Sequence, residues 1–234
     1  MSLLSIEHAR LLDRESPGRL LLEDICVQVD AGELVAIWGK RRSGRSSLLH
    51  LACGLARPDG GVVRFDGRRL RGPTAIGDGI AYCAAGFRAG EAWPVLRELV
   101  EVQLARGVRG RHARGRAQDA LERAGAHDLG GRLLRTLRGA EQVRAMLALA
   151  LTSAPRLLLV DDVVAGVELV ERRVILRLLR SLADDGLAVL TSTDETPALA
   201  GADRALTLSE GRLSGRLAPT EPAEVVPLRA AASA

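Results

Sequence analysis

The sequence predicts an α/β fold with a mainly parallel sheet covered on both faces, and three observations carry that prediction. Short apolar runs of strand length, "LVAIWG", "GIAYCAA", "RLLLVDD" and "LAVLTST", recur between segments of helical spacing. Parallel strands buried on both faces read as such continuous runs. A glycine-spaced loop, "GKRRSGRSS", follows the first run and opens a helix. From about Gly86 to Ala150 the pattern is helical throughout, so a helical insertion interrupts the strand–helix alternation.

In chain order, "LLLEDICVQVDAGELVAIWG" alternates and then runs apolar. It predicts a half-exposed strand, a turn at Ala31-Gly32 and a buried strand ending at Gly39. "SSLLHLACGL" places apolar residues at helical spacing, with Gly54 as a stop. "GVVRFDGRRL" predicts a strand entering an Asp-Gly turn, and "GIAYCAA" a short buried strand. The insertion carries three helical segments, "VLRELVEVQLARG", "RGRAQDALERAG" and "AEQVRAMLALAL". "RLLLVDD" is then a buried strand ending in two carboxylates, and "VERRVILRLLRSLADDG" a helix. "LAVLTST" is a further strand, and "ADRALTLSEGRL" reads as two strands around a Glu-Gly turn. The tail "APTEPAEVVPLRAAASA" carries three prolines and ends in small residues, which predicts poor order.

Composition narrows the function classes. A chain of 234 residues can bury a core and is most simply one domain with a subdomain. Its 2% aromatics argue against a base-stacking surface, and a formal charge of +4 dispersed along the chain leaves a nucleic-acid-associated P-loop protein as a minor alternative. Cys26, Cys53 and Cys83 stand in apolar contexts without paired spacing and read as reduced core thiols of a cytosolic protein. The longest apolar stretch, "AMLALALTSAP", is too short to span a membrane. His8, His50, His112 and His127 show no ligand or catalytic spacing, and Arg109, Arg111, Arg114 and Arg116 read as a solvated helix face.

The loop matches the phosphate-binding pattern G-x-x-x-x-G-K-[ST] except at one place. Gly39 and Gly44 keep the turn, Arg45 takes the lysine place and Ser46 the magnesium-ligand place. Lys40, Arg41, Arg42, Ser43 and Ser47 complete a strongly cationic loop, and helix N-terminal amides from Arg45 to Leu48 can face an anion. Arginine grips phosphate in a planar fork, but it is longer than lysine and cannot simply fill an ammonium's pocket. Lys40 is the single lysine of the chain, so a bias toward arginine is the plain alternative explanation for Arg45.

Over roughly residues 5 to 215 the order of motifs resembles the ATP-binding subunit of an ATP-binding-cassette (ABC) transporter. "GLARPDGGVVRFDGRRL" is similar to the segment after the family's loop, "LRGAEQVRAMLALALTSAPRLLLVDD" to its signature helix running into the Walker B strand, and "ADRALTLSEGRL" to its C-terminal hairpin. "LRGAEQ", "DDVVAGVE" and "WPVLRELVEVQLARGV" look most like the lipoprotein-releasing and macrolide-exporter branch. The resemblance implies a P-loop NTPase of ABC type, with an inserted helical subdomain and an antiparallel β subdomain. It divides the chain into a nucleotide-binding core at 1–85 and 151–215, a helical signature subdomain at 86–150 and a flexible tail at 216–234. It further implies ATP and Mg2+ as cofactors, with Ser46 and Asp161 as magnesium ligands. The implied partners are a membrane permease, contacted by the helical segment, and a second ATPase subunit. The implied location is cytoplasmic, on the inner face of the cell membrane.

Several positions depart from that family. Arg42 stands at a usual glycine, and Asp162 replaces the glutamate that polarises the attacking water. Ala85 holds the glutamine place and Thr193 the histidine place, so neither can supply its usual contact. No aromatic residue precedes Trp38 to stack on adenine. The signature reads Leu137-Arg138-Gly139-Ala140-Glu141, with arginine for the serine that donates to phosphate and alanine for a glycine, while Gln142 and Arg144 remain recognisable. Removing a positioned base costs about 10²–10⁴ in rate. The resulting expectation is an ATP-binding subunit with weak or lost hydrolysis; the alternative is a pseudo-ATPase scaffold that binds no nucleotide.

Overall fold

A computed structural model describes residues 2–16, 18–72, 79–84, 93–195 and 201–217. Among the described residues ten strands form two sheets. In chain order they are β1 (Leu4–Leu12), β2 (Leu20–Val29), β3 (Leu34–Trp38), β4 (Gly60–Phe65), β5 (Arg68–Arg69), β6 (Ile80–Ala84), β7 (Leu157–Asp161), β8 (Ala188–Thr193), β9 (Arg204–Ser209) and β10 (Arg212–Leu217). The helices are α1 (Arg45–Ala52), α2 (Val95–Ala105), α3 (Gly110–Arg123), α4 (Gly139–Leu151) and α5 (Leu169–Asp184).

The six-stranded sheet runs β10-β9-β3-β8-β7-β6, with every neighbouring pair parallel except the β9–β10 hairpin. All five residues of β7 are buried, as its unbroken apolar run requires. Leu158 and Val160 face a core shared with α2 to α5, whereas Leu157 and Leu159 face α1 and the second sheet. Each fully buried leucine contributes about 2 kcal/mol. The second sheet, β2-β1-β4-β5, is antiparallel. Two predicted turns take the hairpin geometry that suits twisted strands, with both central residues at positive φ: Asp66 and Gly67 at 51° and 72°, Glu210 and Gly211 at 48° and 75°.

The sequence reading contains no strand for β1, although it pairs with both β2 and β4. Its period-2 pattern is broken, because Glu7 and His8 are consecutive and both exposed at a register shift. One cysteine also differs from expectation: Cys53 and Cys83 are buried, but Cys26 is exposed on the outer face of β2. Strand β10 extends to Leu217, two residues into the predicted tail, and residues 218–234 lie outside the described residues. Among the described residues no helix is long and apolar enough to cross a membrane.

Candidate nucleotide-binding site

The glycine loop leaves the sheet at the carboxyl ends of β3 and β8, where ligands bind in open α/β sheets. The Gly39 amide donates to the Thr193 carbonyl at 3.1 Å, fixing that exit. A Cβ on Gly39 would lie 2.5 Å from both the Leu208 carbonyl oxygen and Ser43 Oγ. One on Gly44, at φ 105°, would lie 2.9 Å from the Leu21 carbonyl oxygen. Both glycines are therefore required by close backbone approach. Arg42 occupies its usual-glycine place with φ 66°, a left-handed conformation that costs a non-glycine residue about 1 kcal/mol or more. The loop closes through the Ser43 amide on the Lys40 carbonyl at 3.1 Å and the Gly211 amide on the Ser43 carbonyl at 3.2 Å.

Helix α1 starts at Arg45 with no side-chain cap, so its first-turn amides lack a capping acceptor. The Leu48 amide does not belong to that set, because it donates to the Gly44 carbonyl at 2.9 Å. Lys40, Arg41, Arg42 and Ser46 are exposed, Ser47 is half-buried, and Ser43 and Arg45 are buried.

Arg45 is the centre of the site. Its side chain is 8% exposed, and Nη2 lies 3.6 Å from Asp162 Oδ2 and 3.7 Å from Asp194 Oδ2. Both separations exceed hydrogen-bond length, so the guanidinium is attracted by two carboxylates and bonded to neither. Among the described residues, Arg45 Nη1, Ser43 Oγ and Asp162 Oδ1 are buried without a partner. Unpartnered buried donors on a glycine loop fit the oxygens of a phosphate chain. Asp162 sits just beyond β7 at φ 52°, with its amide donating to the Ser192 carbonyl at 3.2 Å. Burial pushes its carboxyl above the usual range; Arg45 opposes this, and Asp194 and Asp161 reinforce it.

Asp161, the expected magnesium ligand, is held from two sides. Ser192 Oγ donates to Oδ1 at 2.6 Å and the Tyr82 hydroxyl donates to Oδ2 at 2.9 Å. His50 Nε2 lies 3.1 Å from the same hydroxyl. Burial, and then the adjacent Asp161 charge, push the Tyr82 hydroxyl well up, so it remains a donor. Each Asp161 oxygen keeps a further lone pair for a cation's water shell.

Thr193 is buried, and its hydroxyl accepts from the Glu195 amide at 3.1 Å. It shapes the turn after β8. Trp38 Nε1 donates to the Asp194 carbonyl at 3.2 Å, and Arg172 holds the Glu195 carboxylate. Asp194, the next residue, is therefore what this turn offers to Arg45. Ala85 lies outside the described residues.

The signature residues surround the start of α4. Leu137 is buried, and Arg138 turns back to donate to the carbonyls of Arg135 and Leu137 at 2.7 and 2.8 Å. Gly139 has φ 51°, and a Cβ there would lie 2.5 Å from Glu171 Oε2. That carboxylate accepts from the Ala140 amide at 3.2 Å. Glu171 belongs to the first turn of α5, so one carboxylate serves two helix N-termini. Glu141 pairs with Arg132, and Arg144 with Asp128. Among the described residues no hydrogen bond or ion pair joins the signature to the Arg45 cluster.

Sequence reasoning passed over Asp194, Tyr82, Ser192, His50 and Glu171. Ser192 and Asp194 follow from position, since they stand at the end of β8 that converges on the loop; Tyr82 in mid-β6 and His50 on α1 meet Asp161 only through packing, and nothing in the sequence pairs Glu171 with residue 139.

Strand, glycine loop and helix, with paired carboxylates at the end of β7, one strand removed from β3 in the sheet, define a P-loop nucleotide-binding fold. The ABC transporter family profile matches residues 22–165, and the chain belongs to that family. It is 34% identical over 211 residues to the zinc import ATP-binding protein ZnuC of Paramagnetospirillum magneticum, covering 89% of this chain and 74% of that protein. It is 30% identical to the taurine import ATP-binding protein TauB of Sinorhizobium fredii, covering 97% of this chain and 86% of that protein. The macrolide export ATP-binding/permease protein MacB of Rhodospirillum rubrum is also 30% identical, but the chain spans 34% of its length. Among solved structures, cbiO1 of Clostridium perfringens superposes with a TM-score of 0.83 at 20% identity, covering 93% of this chain and 89% of that one.

Proposed function

We propose that this chain is the ATP-binding subunit of an ABC transporter, that it docks on a membrane permease through its helical segment 86–150, and that its own hydrolysis is weak or lost. One observation carries the reading: in the lysine place, a buried Arg45 stands between Asp162 and Asp194 and keeps one donor, Nη1, unpartnered. That donor, Ser43 Oγ and the first-turn amides of α1 would hold phosphate oxygens; Ser46 and Asp161 would hold magnesium. Bound Mg-ATP supplies the charge that closes two such subunits on each other in this family.

The same arrangement works against turnover. Asp162 replaces the glutamate, and its Oδ2 faces Arg45 at 3.6 Å. Transition-state stabilisation needs donors aimed where charge develops, and the Asp162 and Asp194 carboxylates beside Arg45 Nη2 would have to give way before a phosphate could take that donor. The relatives named above are ATP-binding proteins of importers and an exporter, which supports a transport role on the inner face of the cell membrane without choosing a substrate or direction.

A second reading, a scaffold that binds no nucleotide, is favoured by one specific pattern. The chain's own carboxylates stand at both places where phosphate would be met: Asp162 and Asp194 at Arg45, and Glu171 at the start of α4. Isothermal titration with Mg-ATP and with ADP separates the two. Heat that saturates at one site per chain and is lost in Arg45→Ala supports the first reading. No heat in wild type, alone or with its partner, would establish the second.

A further inference from the structure

On the outer face of the antiparallel sheet, away from the loop, three residues with different donor atoms converge. His8 Nδ1 lies 2.7 Å from Asp24 Oδ1 and 3.6 Å from Cys26 Sγ, and the three ligand atoms lie within 4.8 Å of one another. The His8 side chain is 77% exposed and that of Asp24 55%, so an ion could enter from solvent.

Two bulges build this cluster. Between the pairs Ile6↔Val27 and Ala9↔Ile25, strand β1 supplies Glu7 and His8 opposite Cys26 alone. Between Ala9↔Ile25 and Leu11↔Leu22, strand β2 supplies Glu23 and Asp24 opposite Arg10. Each extra residue lets a second consecutive side chain reach the outer face, and His8 and Asp24 take φ of 49° and 53° in doing so. Non-glycine residues in that region are uncommon, and bulges re-aim side chains where a sheet carries a site.

We infer that His8, Asp24 and Cys26 form a binding site for a borderline divalent transition ion of the Zn2+ type, with three protein ligands and a fourth position open to water. The donor set, one imidazole nitrogen, one thiolate sulfur and one carboxylate oxygen, suits such an ion and not Mg2+ or Ca2+. Tetrahedral Zn2+ with metal–ligand distances of about 2.0–2.3 Å needs ligand atoms about 3.3–3.7 Å apart. The His8–Cys26 separation already meets this. The His8–Asp24 separation opens by roughly 0.5 Å as the ion replaces their hydrogen bond. Binding releases the Cys26 thiol proton to solvent, together with the imidazole proton wherever His8 is charged. The site braces β2 beside the phosphate loop, since the amide of Glu23 donates to the Gly211 carbonyl at 2.8 Å.

Titration of the metal-stripped, reduced full chain with Co2+ alone tests this inference. Tetrahedral cobalt with a thiolate ligand gives visible d–d bands and a near-ultraviolet sulfur-to-cobalt charge-transfer band. Cys53 and Cys83 are buried, and burial pushes both thiols up, the latter to about 12, so the band reports on Cys26. The expected result is one Co2+ per chain with that band, displaced by Zn2+ and retained in Asp161→Asn. Cys26→Ser should lose the band with an unchanged melting temperature in the absence of metal, and His8→Asn, a residue type that tolerates the φ of 49° at this position, should weaken binding about tenfold or more. No charge-transfer band in wild type, or an equal band in Cys26→Ser, would overturn the site. Octahedral spectra that vanish in Asp161→Asn would do so as well, by assigning the cobalt to the magnesium place.

Discussion

Arg45 places its guanidinium 3.6 Å from the carboxylate of Asp162, so the residue in the lysine place and the residue in the glutamate place are engaged with each other. Asp194 joins from the turn after β8 at 3.7 Å. A phosphate chain entering this loop must compete with two fixed carboxylates for one guanidinium. That competition sets the direction of the first prediction. Asp194→Asn should tighten Mg-ATP binding by about tenfold, equivalent to about 1.4 kcal/mol, because it removes one of those charges while keeping shape. Isothermal titration of the variant beside wild type checks it; equal affinities would mean that Asp194 swings away without cost.

Asp162 is predicted to titrate above an ordinary aspartate, since burial raises its carboxyl more than Arg45 lowers it. A carboxyl whose folded pKa lies above its unfolded value favours the folded state fully below the unfolded pKa, and that contribution is lost as pH rises through the folded pKa. Wild type should therefore lose stability relative to Asp162→Asn as pH rises above the usual aspartate range. Arg45→Ala should push the Asp162 titration higher still, which carbon-13 NMR of the side-chain carboxyls can follow directly.

Gly44→Ala should destabilise the chain by about 1–3 kcal/mol, because φ 105° suits only glycine and the added Cβ would meet the Leu21 carbonyl oxygen at 2.9 Å. Urea unfolding measures the loss. Gly67→Ala is the control: its φ is 72°, but among the described residues no atom beyond its chain neighbours lies within 4 Å of the added Cβ, so only the backbone cost of about 1 kcal/mol should appear.

Glu171→Gln should lower stability by about 0.3–1 kcal/mol through loss of a negative charge shared by the starts of α4 and α5. The same change should raise ATP-dependent self-association, since it removes the chain's own anion from the signature. Sedimentation with and without Mg-ATP reads the second effect, which a purely structural role for Glu171 would leave unchanged.

The layout of the main sheet was legible because its strands are buried on both faces and read as unbroken apolar runs, with β7 the plainest case. Strand β1 was not, since its bulges break the period-2 pattern that marks a half-exposed strand. Within the site, Gly39, Gly44 and Arg45 stood out from the spacing of the loop, whereas Asp161 and Asp162 were picked out by the family resemblance at the end of an apolar run. The partners that decide what Arg45 does were hidden, because Asp194 lies 149 positions away and meets it only through parallel pairing of β3 with β8. Thr193 marked the right turn, but its hydroxyl is spent on the Glu195 amide. The exposed Cys26 was misread from an apolar neighbourhood, since strand alternation, not local hydrophobicity, decides which face a residue takes.

The central claim is that the Arg45 site binds Mg-ATP and turns it over poorly. Its most direct test is single-turnover hydrolysis of labelled ATP by the purified chain, alone and with its co-purified partner, beside Arg45→Lys combined with Asp162→Glu. The account predicts bound ATP that stays intact in wild type and measurable cleavage in the restored variant. Wild-type turnover at about 1 s⁻¹ or faster, within the usual enzyme range, would show that Arg45 performs lysine's role and would contradict it.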